Sequence, residues 1–204
     1  MYVPPKHSVV EDEAWGIVRE AGAGLLVIST AEGLQSVFVP VVVSDDRRTI
    51  VTHVARANRW WRSAHGVDVL AIFVTASAYV SPSNYPSRLE NPGVVPTWNY
   101  VAAEVHGTIT VRDDPQWLAG QVRMVTTQYE ANRTPEWRVE DASASYVDQQ
   151  LKAIVGIEID VASVQGKAKL SQNRPGIDHD TVRDNFAQGT VSERIVAAHM
   201  YADE

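Results

Sequence analysis

Along this chain apolar residues fall into short runs separated by turn residues, with helical patterns at both ends. The first pattern predicts a helix over 9–21, with Val10, Trp15, Ile17 and Val18 facing inward and Glu11, Asp12 and Glu13 complementing the positive end of its dipole. Gly22 and Gly24 stop it. GLLVIST (24–30) predicts a strand, and Glu32-Gly33 a turn into LQSVFVPVVVS. Pro40 interrupts that second run. Lacking an N–H, it belongs at an edge, a bulge or a place where the backbone points away from a neighbouring strand. TIVTHVA (49–55) is a third strand, and NRWWRSAHG (58–66) a short helix capped by Asn58 and ended by Gly66.

Further strands are expected over 67–80, over 97–113 with a bend or bulge at Gly107, and over 154–166. Asp113, Asp114 and Pro115 start a helix, residues 143–150 form one or two helical turns, and from Pro175 two short helices are divided by Gly189. Short turns between strands, with helices at the ends, favour a mainly β, α+β fold built on a small antiparallel barrel over a parallel βαβ sheet.

One stretch resists a regular reading. Between two strand patterns, Ser81 to Pro96 carries Pro82, Pro86, Pro92 and Pro96, with Tyr85 inside it and Trp98 and Tyr100 just beyond. Proline at this density forbids a sheet interior, and the aromatic rings argue against disorder, so an ordered loop that walls a site is expected.

The 204 residues suffice for one domain with a small helical appendage, and no apolar run approaches membrane-spanning length. The opening residues lack the order of a secretory signal, so a soluble, cytoplasmic protein without a membrane partner is expected. Cysteine is absent, which excludes disulfides, thiolate metal sites and thiol nucleophiles. The net charge of −7 opposes binding to a phosphate backbone. Arg56, Arg59 and Arg62, interleaved with tryptophan, suit a single phosphate better than a duplex. Glycine-rich phosphate loops, HExxH and GxSxG are missing, which weakens dinucleotide-binding, zinc-hydrolase and serine-hydrolase readings.

Three places carry candidate chemistry. THVARAN (52–58) runs a strand into a capped turn, where Arg56 and Asn58 could cradle an anion or simply be a surface cation and an N-cap. KAKLSQNR (167–174) gathers cations and carboxamides that form either a site or a solvated turn. Trp98 and Tyr100 share one face of a strand, for packing or for stacking on a planar ligand.

Taken together, HVARAN (53–58), LAIF (70–73), AYVSPSNYP (78–86), VVPTWNYVAAEVHG (94–107), IVGIEI (154–159) and KLSQNR (169–174) resemble the PaiB family, FMN-binding negative transcriptional regulators. The agreement begins at MYVP and runs in order along the chain, weakening after Arg174. Asn84 departs from it, standing where family members often carry tryptophan. The resemblance implies a flavin-binding split β-barrel over 1–174 with a C-terminal helical extension over 175–204, acting as a homodimer with FMN between subunits.

By the same resemblance His53, Arg56 and Asn58 would lie near the FMN phosphate and ribityl chain, and Tyr85, Trp98 and Tyr100 near the isoalloxazine ring. Lys169, Gln172 and Arg174 would close the site, and free backbone groups at Pro40 would meet the flavin's pyrimidine edge. No catalytic or metal-binding residue is assigned. The alternatives are an FMN-dependent oxidoreductase acting on a small molecule in the dimer cleft, another planar ligand such as haem or a deazaflavin in the same cleft with His53 or His106 on haem iron, and a repressor touching DNA directly through the C-terminal helices. Those helices hold more acids than bases, which counts against groove docking.

Overall fold

The computed structural model describes residues 1–90 and 92–202. Among these residues the chain forms a helix α1 (Glu11–Ala21) and strands β1 (Ala23–Thr30), β2 (Gly33–Pro40), β3 (Val42–Val43), β4 (Thr49–Ala55), β5 (Asp68–Val80) and β6 (Thr97–Arg112). Helices α2 (Pro115–Glu130) and α3 (Ala144–Lys152), strand β7 (Ile154–Lys169) and helices α4 (Gly176–Ala187) and α5 (Val191–Ala202) complete it. The seven strands form a sheet in the order β2-β1-β5-β6-β7-β4-β3, and each register defined among them is antiparallel.

The chain divides into two compact units, one of residues 22–72 and 105–163, the other of 1–21, 73–104 and 164 onward. In the first, the hairpin of β1 and β2 pairs Thr30 with Gly33 at its turn and Ala23 with Pro40 at its open end, while β4 pairs with β7 from Thr49↔Asp160 to Ala55↔Ile154. Leu26, Ile28, Ile50, Ile109, Ile157 and Ile159 fill its core. Gly107 and Gly156 have no room for a side chain. A Cβ on Gly107 would strike the Asp160 carbonyl, and one on Gly156 the Trp117 ring. Asp114 caps α2 by accepting from Trp117 N at 2.7 Å, with Pro115 at the first helical position.

The second unit contains the start of the chain and the two last helices. Trp15, Phe73, Tyr85, Leu170, Phe186 and Met200 form its buried core. The proline-rich loop is ordered here through two 3-10 turns, Pro82–Asn84 and Pro86–Leu89, each opened by a proline; Asn91 of that loop lies outside the described residues. The region expected as an extension from residue 175 falls within this unit.

Several local expectations are corrected. Helix α1 begins at Glu11, and Val10, which precedes it and accepts from Ala14 N, is exposed instead of facing inward. The second apolar run breaks after Pro40 into β2 and the two-residue β3. Neither backbone group there is free for a ligand: the Pro40 carbonyl accepts from Thr52 Oγ1 at 2.5 Å and Val41 N donates to the Gly22 carbonyl at 2.8 Å. Residues 59–63 form a 3-10 turn. Strand β7 continues past Gly166 to Lys169, because an antiparallel bridge from Ser8 to Lys167 gives its end a partner.

Candidate functional site

The sequence-expected residues fall into two groups, one in each unit. His53, Arg56 and Asn58 belong to the unit of residues 22–72 and 105–163. Arg56, just beyond β4, grips the Asp113 carboxylate with both terminal nitrogens and donates from Nε to the Lys152 carbonyl and from Nη2 to the Ile154 carbonyl, both at 2.9 Å. This pairing raises the guanidinium above its ordinary value and, through the Arg56 hydrogen bond first, lowers the Asp113 carboxyl. Arg56 thus clamps the strand end to the start of β7 with four of its five N–H donors.

His53 Nδ1 meets Gln121 Oε1 at 2.9 Å, and the buried Gln121 Nε2 has no partner. Asn58 is the N-cap of the 3-10 turn, its Oδ1 accepting from Trp60 N at 3.2 Å. It also borders an open groove of about 600 Å³ shared with Gln35, Ser36, Arg59, Arg62 and Ser63. Arg62 lies over the Trp61 ring at 5.5 Å, and no hydrogen bond or ion pair engages Arg59 among the described residues. At this strand end Arg56 is paired with Asp113, whereas Arg59 and Arg62, three and six residues further on, line the open groove without a carboxylate partner among the described residues.

The second unit holds Tyr85, Trp98, Tyr100, Lys169, Gln172 and Arg174. Tyr85 is fully enclosed, with the Arg174 guanidinium 4.4 Å from its ring centroid and no hydrogen-bond partner for its hydroxyl. Burial pushes the phenol above its ordinary value, and the charge of Arg174 opposes this. Beside it, the buried Asp178 carboxylate of α4 accepts from Ser87 N at 3.0 Å and Ser87 Oγ at 2.6 Å, fastening the proline loop to the last helices. Asn84 adds a second tie, accepting from Asn185 Nδ2 at 3.0 Å.

After β7 the chain turns sharply at Ser171, whose φ of 69° is unusual for a residue with a Cβ and whose hydroxyl donates to the buried Asn99 at 3.1 Å. Gln172 braces this turn, accepting from Leu170 N at 2.8 Å, donating to the Ala168 carbonyl at 2.7 Å and meeting His7 Nδ1 at 3.0 Å. Trp98 remains 54% exposed, in edge contact with Tyr79 at 6.0 Å. Lys169 donates to Thr97 Oγ1 at 2.6 Å and to the Trp98 carbonyl at 2.5 Å, while Lys167, two residues earlier, places its ammonium 5.1 Å from the Tyr100 ring. Alternate lysines of β7 thus meet β6 differently, Lys167 at the Tyr100 ring and Lys169 at the backbone and hydroxyl of its first residues. Burial, then Lys167, Arg174 and Lys6, hold the Lys169 ammonium below its ordinary value.

Sequence reading missed Lys6 and His7, and took Lys167 only as one cation of the KAKLSQNR stretch. Alternation places Lys167 on the face of Lys169 once β7 is extended to its true end. The N-terminal pair gave no such signal, since a bridge between distant segments brings it there.

Residues 1–163 match the family model described as "Putative FMN-binding domain". The chain is 34% identical over 187 residues to the protease synthase and sporulation protein PAI 2 of Bacillus subtilis, covering 89% of this chain and 87% of that protein. An uncharacterised protein of Emericella nidulans is 36% identical over 130 residues, 58% of this chain and 52% of its own. Among solved structures, the FAD and heme binding protein of Mycobacterium smegmatis superposes with a TM-score of 0.60 at 15% identity, covering 80% of this chain and 73% of that one. The flavocytochrome Anf3 of Azotobacter vinelandii gives 0.59 at 11% identity, covering 82% and 68%. These likenesses show the split β-barrel fold class.

Proposed function

Because this chain belongs to the FMN-binding domain family, we propose that it binds FMN as a cytoplasmic homodimer and acts as a negative transcriptional regulator of the PaiB type. The family match over residues 1–163 carries this reading. The residues present suit the cofactor. Guanidinium groups of Arg59 and Arg62 beside Asn58 fit a phosphate, and the open ring of Trp98 with Tyr100 fits a flat heterocycle.

In the dimer, the strand-end group of one protomer, with His53 and Asn58, would face the ring-binding group of its partner, with Trp98, Tyr100, Lys169 and Arg174. Arg56, Tyr85 and Gln172 would act from behind, since their polar groups or rings are committed to the fold. When bound, FMN supplies the redox chemistry and the protein supplies position and electrostatics. Along β2 and its partner β1, Leu34, Phe38 and Leu25 expose an apolar sheet face that suits a second copy of the chain.

The relative's name couples it to protease synthesis and sporulation, which supports a regulatory role. In the last two helices Asp178, Asp180, Asp184 and Glu193 outnumber Arg183 and Arg194, which favours regulation without groove docking. The test is an absorbance spectrum of purified protein followed by FMN titration. Flavin bands or saturable binding at micromolar FMN are expected, and absence of both removes the reading. A gel shift at low salt with promoter DNA would revive direct contact.

Exposure of Trp98 beside Lys169 favours a second reading, an FMN-dependent oxidoreductase that takes a small molecule at this face. Turnover of bound flavin by NAD(P)H in the presence of an acceptor would distinguish it from the first.

A further inference from the structure

The unit containing the chain's first residues also holds an open groove of about 290 Å³, on the side of the sheet away from the rings of Trp98 and Tyr100. Side chains alternate along β6 and β7, so Val101 points opposite to Tyr100, and Ala168 opposite to Lys167 and Lys169. Together with Leu170, and with Ile17 of α1, they make a buried apolar floor. Glu13, Gly16, Ile17 and Glu20 recur at the spacing of one helical face, which puts α1 along one wall. His199 of α5 closes the groove beside Glu20.

Charge at this groove is one-sided. Its lining includes two carboxylates and neither lysine nor arginine. Glu13 Oε2 accepts from Val10 N at 3.3 Å, capping the helix start, and no cation pairs with Glu13 among the described residues. Glu20 Oε1 meets His199 Nε2 at 3.1 Å, the same nitrogen that lies 3.5 Å from Thr75 Oγ1. A relay that activates Thr75 would need Glu20 on the other ring nitrogen, so these three side chains do not make a nucleophile with its base. Among the described residues, the second oxygen of each carboxylate has no hydrogen-bond partner. Gly16 supplies the opening. Glycine weakens a helix interior, yet a Cβ at this position would meet no atom within 4 Å, so packing within the chain does not require its absence. Lacking a side chain, residue 16 leaves the middle of the groove uncovered.

We propose that this groove binds a small primary alkylamine, its ammonium held by the Glu13 carboxylate and its hydrocarbon chain lying past Gly16 on the floor of Ile17, Val101, Ala168 and Leu170. An ammonium brings three donors to a carboxylate that has no cation of its own, and the chain displaces water from an apolar surface. Glu20, fixed by His199 at the far end, adds a second negative charge to the field along the groove. The site is independent of flavin binding, because it lies on the sheet face opposite the groups assigned to FMN.

Calorimetric titration of the full chain, with and without FMN, tests this with hexylamine against methylamine, which has the charge without the chain, and hexanol, which has the chain without the charge. Hexylamine should bind at least about tenfold more tightly than either. Glu13→Gln, which keeps an acceptor for Val10 N, should weaken hexylamine about tenfold, and Glu20→Gln about threefold. Gly16→Leu should weaken it at least about tenfold by filling the groove, with the melting temperature unchanged or higher, since leucine enters open space and favours the helix. FMN affinity should be the same in all three variants. Should a circular dichroism melt show a variant unfolded, the comparison of the three probes decides. Hexylamine binding no tighter than methylamine or hexanol, or indifferent to Glu13→Gln or Gly16→Leu in folded protein, overturns the proposal. So does a loss of FMN affinity in these variants, which would make the groove part of the flavin's own site. Nα-acetyllysine methylamide carries the same ammonium on a peptide and should bind more weakly than hexylamine; tighter binding would make the occupant a lysine of another protein and overturn the assignment to a small amine.

Discussion

Arg56 grips a carboxylate and two backbone carbonyls of its own chain, so replacing it is first a stability experiment. Arg56→Lys keeps the charge but loses the fork, and at pH 7 urea unfolding should show a loss of about 1 kcal/mol, modest because the pair is partly exposed. Asp113 is held below its ordinary value, so its contribution is fully present above the unfolded carboxylate pKa near 4 and is lost as pH falls through the lower folded value. The carboxylate-dependent part of the difference between wild type and variant should therefore vanish as pH falls below the folded value, leaving the part due to the Lys152 and Ile154 carbonyls. Tyr85 gives the opposite expectation. Its hydroxyl is buried without a partner, so Tyr85→Phe should shift stability by less than about 1 kcal/mol, or raise it. Ser87→Ala instead strips two contacts' worth of support down to one from a buried carboxylate, and thermal melts should show a loss of about 1.5–3 kcal/mol.

At the scale of elements, close approach explains two glycines that a strand would otherwise exclude. Gly107→Ala would drive a methyl group into the Asp160 backbone and Gly156→Ala into the Trp117 ring, and neither obstacle is a flexible side-chain tip. Each should cost about 1–3 kcal/mol in chemical denaturation, and a change under about 0.5 kcal/mol would mean that β4, β6 and β7 pack more loosely than described. Strand β4 and the capped start of α2 were legible because local pattern and tertiary pairing agree there. The break after Pro40 and the extension of β7 to Lys169 were not, since Val41 and Lys167 take their places from hydrogen bonds to Gly22 and Ser8. The site divides in the same way. Trp98 and Tyr100 could be picked out by alternation along β6, and Lys169 by the run of cations at the end of β7. Nothing local in HVARANRWWR says that Arg56 turns inward to Asp113 while Arg59 borders an open groove. Tyr85, conspicuous in a proline-rich loop, lies fully buried between two 3-10 turns whose fastening to the last helices, through Ser87 and Asp178, is not visible locally.

At the scale of the whole molecule, the proposed dimer depends on sheet surface that one copy leaves bare. Strand β2 is an edge of the sheet, and its side chains alternate so that Leu34, Ser36, Phe38 and Pro40 share the face opposite the buried Val39. Phe38 is 70% exposed and pairs across the ladder with the partly exposed Leu25, an apolar patch that water would disfavour in an isolated chain. No buried packing is lost by changing Phe38, so Phe38→Asp should leave the fold's melting temperature in dilute solution nearly intact. If a second copy covers this face, each dimer buries the new carboxylate twice by symmetry, and light scattering after size exclusion should show the variant shifting from dimer to monomer. Flavin held between protomers would then be lost together with the dimer, whereas a wild-type protein that runs as a monomer and still retains FMN would place the cofactor wholly within one chain.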